Sequence, residues 1–586
     1  MKMNLNNPTL REKFKPSALI AIAICLAVVV LFPIVVTSRY IVNLVILAAA
    51  SGVAALGLTV CLGYTGLLSM AQAVFYSIGS YAVALCTTRM DIGWWGGMFL
   101  GLVLAALMGL FLGFASLKVS GRYLAMVTIC VQVVFALVLM NWREVTNGAD
   151  GISGIGRPWL FTELDDAQKF CWFSLAVLFI CVLIIWALKT SKLGRSMRAV
   201  RENEMAAECL GVNTLRVKVI AFLICGVLGS LGGSLYASGF LYISPDSFVY
   251  QNSVDFLSMV LVGGTDSAFG AVIGASILTF LPEALRDLES LYLVIYGCII
   301  IVVIIFMPDG LWGYVDRFMR RFSKKKTLPE VKQALAVGEC DCDEVLHIEN
   351  IGMHFGGLKA LDGVDYTVHK GEIHALIGPN GSGKTTCINV ISGIYTPTFG
   401  KVTFLGEEIT GMKPHIIARK GLTRTFQNLR LFSKLSVYEN VLVGSQRAGG
   451  SEEEIIDRAL AAIEFVGLKD TAYEQCRSLP YGHQKLVELA RNLAGKPKLL
   501  LLDEPAAGLN ESEKEMLGDL LIRIHKMGLT MLLVEHDMSL ISKLATKCTV
   551  LNFGEKIADG DVDEALTDPQ VVEAYLGTKE VSEDDA

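Results

Sequence analysis

Eight residues, Gly378-Pro379-Asn380-Gly381-Ser382-Gly383-Lys384-Thr385, set glycines, a lysine and a hydroxyl at the spacing Gly-x-x-x-x-Gly-Lys-[Ser/Thr]. That spacing is the pattern of a phosphate-binding loop. Its chemistry is electrostatic: successive backbone N–H groups and the N-terminus of the following helix surround phosphate oxygens. Lys384 is placed to reach the β- and γ-phosphates, Thr385 to hold Mg²⁺, and Thr386 opens the helix beside them. Downstream, the apolar run Leu499–Leu502 ends in Asp503 and Glu504. Asp503 is expected in the Mg²⁺ shell and Glu504 to polarise an attacking water. Gln427, in Arg-Thr-Phe-Gln-Asn, is expected to sense both the metal and that water. His536 follows the apolar run Thr530–Val534 and is expected at the γ-phosphate. Phe355, upstream, is placed to stack on adenine. Each feature alone is weak evidence, but their order along one chain predicts an ATP- and Mg²⁺-binding hydrolase.

The elements that must position these residues are legible as well. Ile373–Ile377 reads as a buried strand entering the loop, and Thr386–Ile391 as the helix leaving it. The chain has 586 residues, too many for one domain. Hydrophobic residues make up 53% and charged ones 18%, with a mean hydropathy of +0.51. That average joins two unlike halves. Long apolar runs extend to about Met307, and ordinary soluble sequence begins at about Val345. The expected organisation is an all-α polytopic transmembrane domain of eight to ten helices over 1–322, a polar linker over 323–344, and an α/β P-loop domain over 345–586. The net charge of −6 gives no case for nucleic-acid binding. The 14 cysteines are scattered, many inside apolar runs, and Cys340 and Cys342 have no second pair at metal spacing.

A bilayer core needs about 20 apolar residues per helix. Candidate spans are 18–36, 41–62, 68–88, 94–117, 123–141, 170–188, 217–242, 255–283 (as one or two pieces) and 289–307. The first is too long for a cleavable signal. Gly97/Gly101, Gly109/Gly113 and Gly229/Gly233 are spaced for close helix packing. Glycine and polar residues interrupt 62–72 and 263–274, which makes Thr65, Ser69 and Gln72 candidates for a passage. Basic residues set the orientation. Arg11, Lys13 and Lys15, the group Lys189, Lys192, Arg195, Arg198 and Arg201, and the group Arg317, Arg320, Arg321, Lys324, Lys325 and Lys326 are expected on the cytoplasmic face. The acidic stretch from Asn147 to Asp166 is expected outside. The segment 189–213 mixes charged and apolar residues at helical spacing, as a docking helix or an interfacial loop would.

The series in the soluble half resembles the ATP-binding-cassette (ABC) ATPases, and on that resemblance this half carries their helical subdomain. The stretches His354–Ala360, Ser392–Pro397, Leu422–Asn428, Asp503–Asn510 and Val534–Met538 are similar to the ATPase of bacterial branched-chain amino-acid importers. Gly63-Tyr64-Thr65-Gly66 with Gln72, the segment Arg195–Asn213, and Met307-Pro308-Asp309-Gly310-Leu311 are similar to the matching permease. Together the resemblances span nearly the whole chain, with permease and ATPase fused.

The resemblance implies an ATP-driven importer of the cytoplasmic membrane. It further implies a second permease and a second ABC ATPase (or a second copy of this chain) and an extracytoplasmic substrate-binding protein. Urea, short amides or other small acids are alternative cargo on the same scaffold, and an exporter is a more distant one. The family signature Leu-Ser-Gly-Gly-Gln reads Leu479-Pro480-Tyr481-Gly482-His483 here, with Gln484 next, and the D-loop ends in Asn510 where Asp is usual. On the family pattern, the site this chain completes for its partner is altered while its own phosphate loop is intact.

Overall fold

The computed structural model describes residues 38–119, 121–160, 162–163, 166–321 and 328–576. The expected span at 18–36, with Arg11, Lys13 and Lys15, lies outside the described residues, as does the cluster Lys324–Lys326. The chain divides into two units. One comprises residues up to Arg201 and Thr214–Lys325, the other Glu202–Asn213 and Lys326 onward.

Apolar runs without strong breakers make the first unit helical. Its elements are α1 (Arg39–Leu58, extended by a π-helical turn Thr59–Tyr64), α2 (Gln72–Thr88), α3 (Trp94–Lys118), α4 (Arg122–Asn141), α5 (Ala167–Thr190) and α6 (Lys192–Glu202). The short α7 (Glu204–Cys209) falls in the second unit, and the first resumes with α8 (Thr214–Phe240), α9 (Tyr250–Gly263), α10 (Ala268–Ala284), α11 (Tyr292–Phe306) and α12 (Gly310–Arg321). Among the described residues, five helices are long and apolar enough to cross a membrane: Arg39–Tyr64, Trp94–Leu117, Arg122–Asn141, Ala167–Thr190 and Thr214–Phe240. The first of these is almost entirely buried in the bundle. The outer faces of α3, α4 and α5 instead expose Phe99, Phe111, Met126 and Ile184. An apolar exterior of this kind suits lipid.

Glycines set how closely α2 and α8 approach. A Cβ at Gly79 would lie 1.9 Å from Ser230 O, and one at Gly233 would lie 1.8 Å from Tyr76 O. The interrupted stretch 62–72 is a π-helical end followed by irregular chain up to α2. Thr65, Ser69 and Gln72 are fully buried there. Gln72 Nε2 donates to Ala54 O at 2.7 Å, and Gln72 Oε1 accepts from Cys225 Sγ at 3.0 Å, tying α1, α2 and α8 together. Thr65 Oγ1 donates to Cys61 O. Gln72 is thus used in helix-to-helix hydrogen bonds, while Thr65 and Ser69 are held by local ones, Ser69 Oγ accepting from Ala71 N at 3.3 Å. The second interruption separates α9 from α10 at Gly264–Ser267, and Ser267 caps α10.

The second unit is an α/β cassette. Its strands are β1 (Glu344–Phe355), β2 (Leu358–His369), β3 (Ile373–Ile377), β4 (Phe399–Phe404), β5 (Leu422–Arg424), β6 (Leu499–Asp503), β7 (Thr530–Val534), β8 (Lys547–Asn552) and β9 (Glu555–Asp561). The main sheet runs β5-β6-β7-β3-β8-β9, parallel from β5 to β8 and closed by the antiparallel pair β8–β9. β3, β6 and β7 are buried at every position, as a parallel sheet covered on both faces requires. A second, antiparallel sheet carries β1, β2, β4 and the two-residue strand Glu407–Glu408 paired to β4. Helices Val437–Ser445, Glu452–Phe465 and Tyr481–Leu493 form a helical subdomain over a core that includes Val441, Ile456, Leu460, Val487 and Leu493. Segment Glu202–Asn213 belongs to this unit. Asn203 caps α7 by accepting from Ala206 N at 2.9 Å. Arg419 Nε donates to Gly211 O at 3.0 Å, and Lys434 N donates to Glu202 Oε2 at 3.3 Å.

Candidate nucleotide site

The parallel sheet gathers the predicted residues at one edge. In such a sheet, ligands bind beyond the carboxyl ends of the strands. β3 runs into Gly378–Thr385, β6 ends in Asp503 and Glu504, β7 leads through Glu535 to His536, and β5 leads to Gln427. These strands are neighbours in the order β5-β6-β7-β3.

The phosphate loop needs its glycines. Gly378 has φ +147, and a Cβ there would lie 2.1 Å from Leu551 O, while the space beside Gly381 is open. Gly383, at φ +102, precedes the helix Lys384–Ile391, and no side chain caps that helix. Its first N–H groups are thus left for a phosphate. Lys384 Nζ folds onto the loop, donating to Gly378 O at 2.8 Å, Pro379 O at 2.9 Å and Ser382 Oγ at 3.4 Å. Burial lowers its pKa, while the carboxylates of Glu504 and Asp503 act in the opposite direction. Thr385 faces solvent one residue on.

Asp503 has an arrangement that strand patterning did not reveal. Its Oδ2 accepts from Arg424 Nη2 at 3.2 Å, and both side chains are almost wholly buried. Its Oδ1 is buried without a hydrogen-bond partner. Burial lifts this carboxyl above the usual range even with Arg424 beside it. Arg424 also donates to Asn389 Oδ1 at 2.7 Å and Ser392 Oγ at 2.9 Å, which fixes its guanidinium. In sequence, Arg424 is one basic residue in a short strand, and nothing in its neighbours signalled an ion pair across to β6.

The unpartnered Asp503 oxygen, the Thr385 hydroxyl and the Gln427 amide are hard oxygen donors of the type Mg²⁺ takes. Among the described residues, no group of three or more His, Cys, Asp and Glu side chains forms an all-protein metal cage. Glu504 adopts φ +45, a sparsely populated conformation for a residue with a side chain. Its N–H donates to Val534 O at 2.9 Å, and its Oε2 accepts from Gln427 Nε2 at 2.8 Å.

His536 is exposed, and the preceding Glu535 is buried, accepting from Ala506 N at 2.8 Å and His536 N at 3.2 Å. Phe355 ends β1 with an exposed ring packed edge-on to Tyr395 at 5.4 Å. Pro480 precedes the helix Tyr481–Leu493 in an extended conformation (φ −55, ψ 152), and that helix has no side-chain cap. Asn510 caps Glu511–His525 in a reciprocal capping box with Glu513.

Comparison with known proteins bears on this geometry. The family model for the permease component of the branched-chain amino-acid transport system matches residues 40–304, and that for ABC transporters matches 361–507. A third, for branched-chain amino-acid ATP-binding cassette transporters, matches 555–581. The chain is 40% identical over 249 residues to the high-affinity branched-chain amino acid transport ATP-binding protein BraF of Pseudomonas aeruginosa, covering 98% of that protein and 40% of this chain. The chain belongs to the branched-chain amino-acid transport branch of the ABC transporters. It is also 38% identical over 250 residues to LivG of Escherichia coli, again covering 98% of that protein and 40% of this chain. These ABC ATPase relatives align with less than half of the chain, and the permease match lies ahead of the ATPase match on the same polypeptide. The family binds nucleotide in its cassette, and this member is an ATPase and an integral membrane protein that works with partner subunits.

Proposed function

We propose that this chain is the fused permease and ATPase of an importer that drives branched-chain amino acids across the cytoplasmic membrane by ATP hydrolysis. The observation that supports the reading most directly is the joining, in one polypeptide, of a branched-chain amino-acid permease match and a cassette whose phosphate loop, Asp503, Glu504, Gln427 and His536 share one sheet edge. ATP is the substrate of the cassette. Gly378–Thr386 receive its phosphates through backbone N–H groups and the helix N-terminus. Lys384 exchanges its carbonyl partners for phosphate oxygens, and Phe355 stacks on the adenine. Thr385, Gln427 and Asp503 would hold Mg²⁺, which would neutralise phosphate charge when bound. Glu504, oriented by Gln427, polarises the attacking water, and His536 contacts the γ-phosphate.

The uncapped N-terminus of Tyr481–Leu493 offers backbone N–H groups to a partner's nucleotide, although Pro480 supplies no hydroxyl. The partners in this reading are a second permease and a second ABC ATPase, with an extracytoplasmic binding protein that delivers the amino acid. The segment Glu202–Asn213, held near the chain that follows Gln427, carries cassette closure to the membrane helices. A test is uptake of labelled leucine by cells carrying the chain intact or with Glu504→Gln. Loss of accumulation fits an ATP-driven importer. Retained accumulation contradicts it, and uptake that only equilibrates leucine in both chains indicates a nucleotide-gated channel instead.

A further inference from the structure

A cavity of about 1250 Å³ lies within the membrane unit, lined by parts of α1, α2, α8, α9, α10 and α11. Its place along the membrane follows from the basic residues. Lys189 at the end of α5 pairs with Asp266, between α9 and α10, at 2.7 Å. Arg201 donates to Gly63 O at the end of the α1 extension. The positive-inside rule places these ends at the cytoplasm. The cavity is lined from the opposite ends: Leu44 and Leu47 of α1, Gln251 to Met259 of α9, Leu278 to Glu283 of α10, and Phe240 closing α8. It therefore occupies the outer half of the unit.

Three aromatic side chains of its lining pack together. Tyr76 packs against Tyr236 and Phe256, with ring centroids 5.4 and 5.1 Å away. Beneath these, α9 and α10 meet so closely that a Cβ at Gly263 would lie 1.9 Å from Gly270 O.

The cavity has a definite chemistry. Among the described residues, its charged lining side chains are Asp255, Glu283 and Arg286. Glu283 and Arg286 pair with each other at 3.4 Å. Among the described residues, no cation pairs with Asp255, which takes a hydrogen bond from Gln251 one turn above. One carboxylate is thus left unbalanced about 7.5 Å below the start of α9, taking five residues of helix. The Thr279 hydroxyl is buried without a hydrogen-bond partner, and the buried Tyr76 hydroxyl lies beside the Ser51 hydroxyl in the same wall. The rest of the wall is mainly apolar, from Leu44, Leu47, Met259, Leu278 and Ile300. An intramembrane carboxylate is costly to keep and is ordinarily functional. The volume exceeds the roughly 300–1,000 Å³ of a fitted small-molecule pocket, as suits a passage.

We infer that this cavity is the outward vestibule of the transport path, with Asp255 receiving the ammonium group of an aliphatic α-amino acid. The Tyr76 and Thr279 hydroxyls receive its carboxylate, and the apolar wall takes its side chain. The inference rests on the import reading and adds to it a location and a reason for a zwitterion over an uncharged amide.

The test is labelled-leucine uptake in cells carrying the intact chain, Lys384→Ala, Asp255→Asn and Asp255→Glu, with chain abundance checked in each. Asp255→Asn is expected to raise the KM for uptake about ten- to hundredfold, the scale of one lost charge-assisted hydrogen bond, and Asp255→Glu to recover most of it. A second variant, Asn252→Cys, is treated from outside with a membrane-impermeant thiol reagent. Block of its uptake, slowed by leucine and not seen in the untouched chain, supports the vestibule. Leucine uptake that depends on Lys384 but is unchanged in Asp255→Asn and in reagent-treated Asn252→Cys overturns the vestibule and leaves the import reading standing. Uptake indifferent to Lys384→Ala overturns the import reading itself.

Discussion

Gln427 Nε2 donates to Glu504 Oε2 at 2.8 Å, joining a loop after β5 to the end of β6 across 77 residues of sequence. The bond aims a carboxylate that already sits in a strained backbone conformation. Glu504→Gln keeps the shape but removes the charge. The expected outcome is hydrolysis slower by about 10²–10⁴-fold, the contribution of a positioned general base, with nucleotide binding retained. Steady-state ATPase and a nucleotide-binding titration on the purified chain separate the two.

Lys384→Ala is expected to cost more than Pro480→Ser changes. The first removes a preorganised cation, on the order of 10²–10³-fold in rate. The second adds a capping hydroxyl to the uncapped helix Tyr481–Leu493, worth about 1 kcal/mol, and is expected to shift ATPase less than about tenfold. Equal and large effects from both would contradict an intact phosphate loop beside an altered signature.

The Arg424–Asp503 pair is buried on both sides. Arg424→Leu strands the carboxylate and is expected to destabilise the cassette by about 3–5 kcal/mol. Arg424→Lys keeps a charge but loses the bonds to Asn389 and Ser392, and is expected to fall between. Thermal unfolding of the full chain reads both.

Phosphate loop, Asp503-Glu504 and His536 were legible because each is a contiguous motif on an apolar strand, and the parallel sheet then set them side by side. Five of the spans were legible as long apolar runs, while 68–88, 255–283 and 289–307 form shorter helices, with the α9–α10 break at Gly264–Ser267. Thr65, Ser69 and Gln72 stand out in sequence as polar at membrane depth, but their partners do not: Gln72 ties helices together, while Thr65 and Ser69 bond locally. The open carboxylate, Asp255, sits in a helix whose pattern looks like any other. Arg424 was missed for a similar reason, since its partner is 79 residues away.

Asp537 caps the helix Met538–Leu544, accepting from Ser539 N and Leu540 N, and binds Lys514 at 3.0 Å. The Ser539 hydroxyl and Lys514 pull its pKa down to about 2. A depressed carboxylate stabilises the fold above its unfolded value, about 3.9, and that stability is lost as pH falls through the folded value. Asp537→Ala is therefore expected to cost about 1 kcal/mol near neutrality, with the difference fading between about pH 4 and pH 2. Thermal unfolding of the two chains across that range checks it.

The central claim is that one polypeptide couples this cassette to branched-chain amino-acid import. Uptake of labelled leucine and labelled urea, side by side in cells with the chain intact and with Lys384→Ala, tests it most directly. The account predicts that leucine uptake collapses in the variant while urea uptake does not change. Loss of urea uptake alone, or no loss of either, would contradict it.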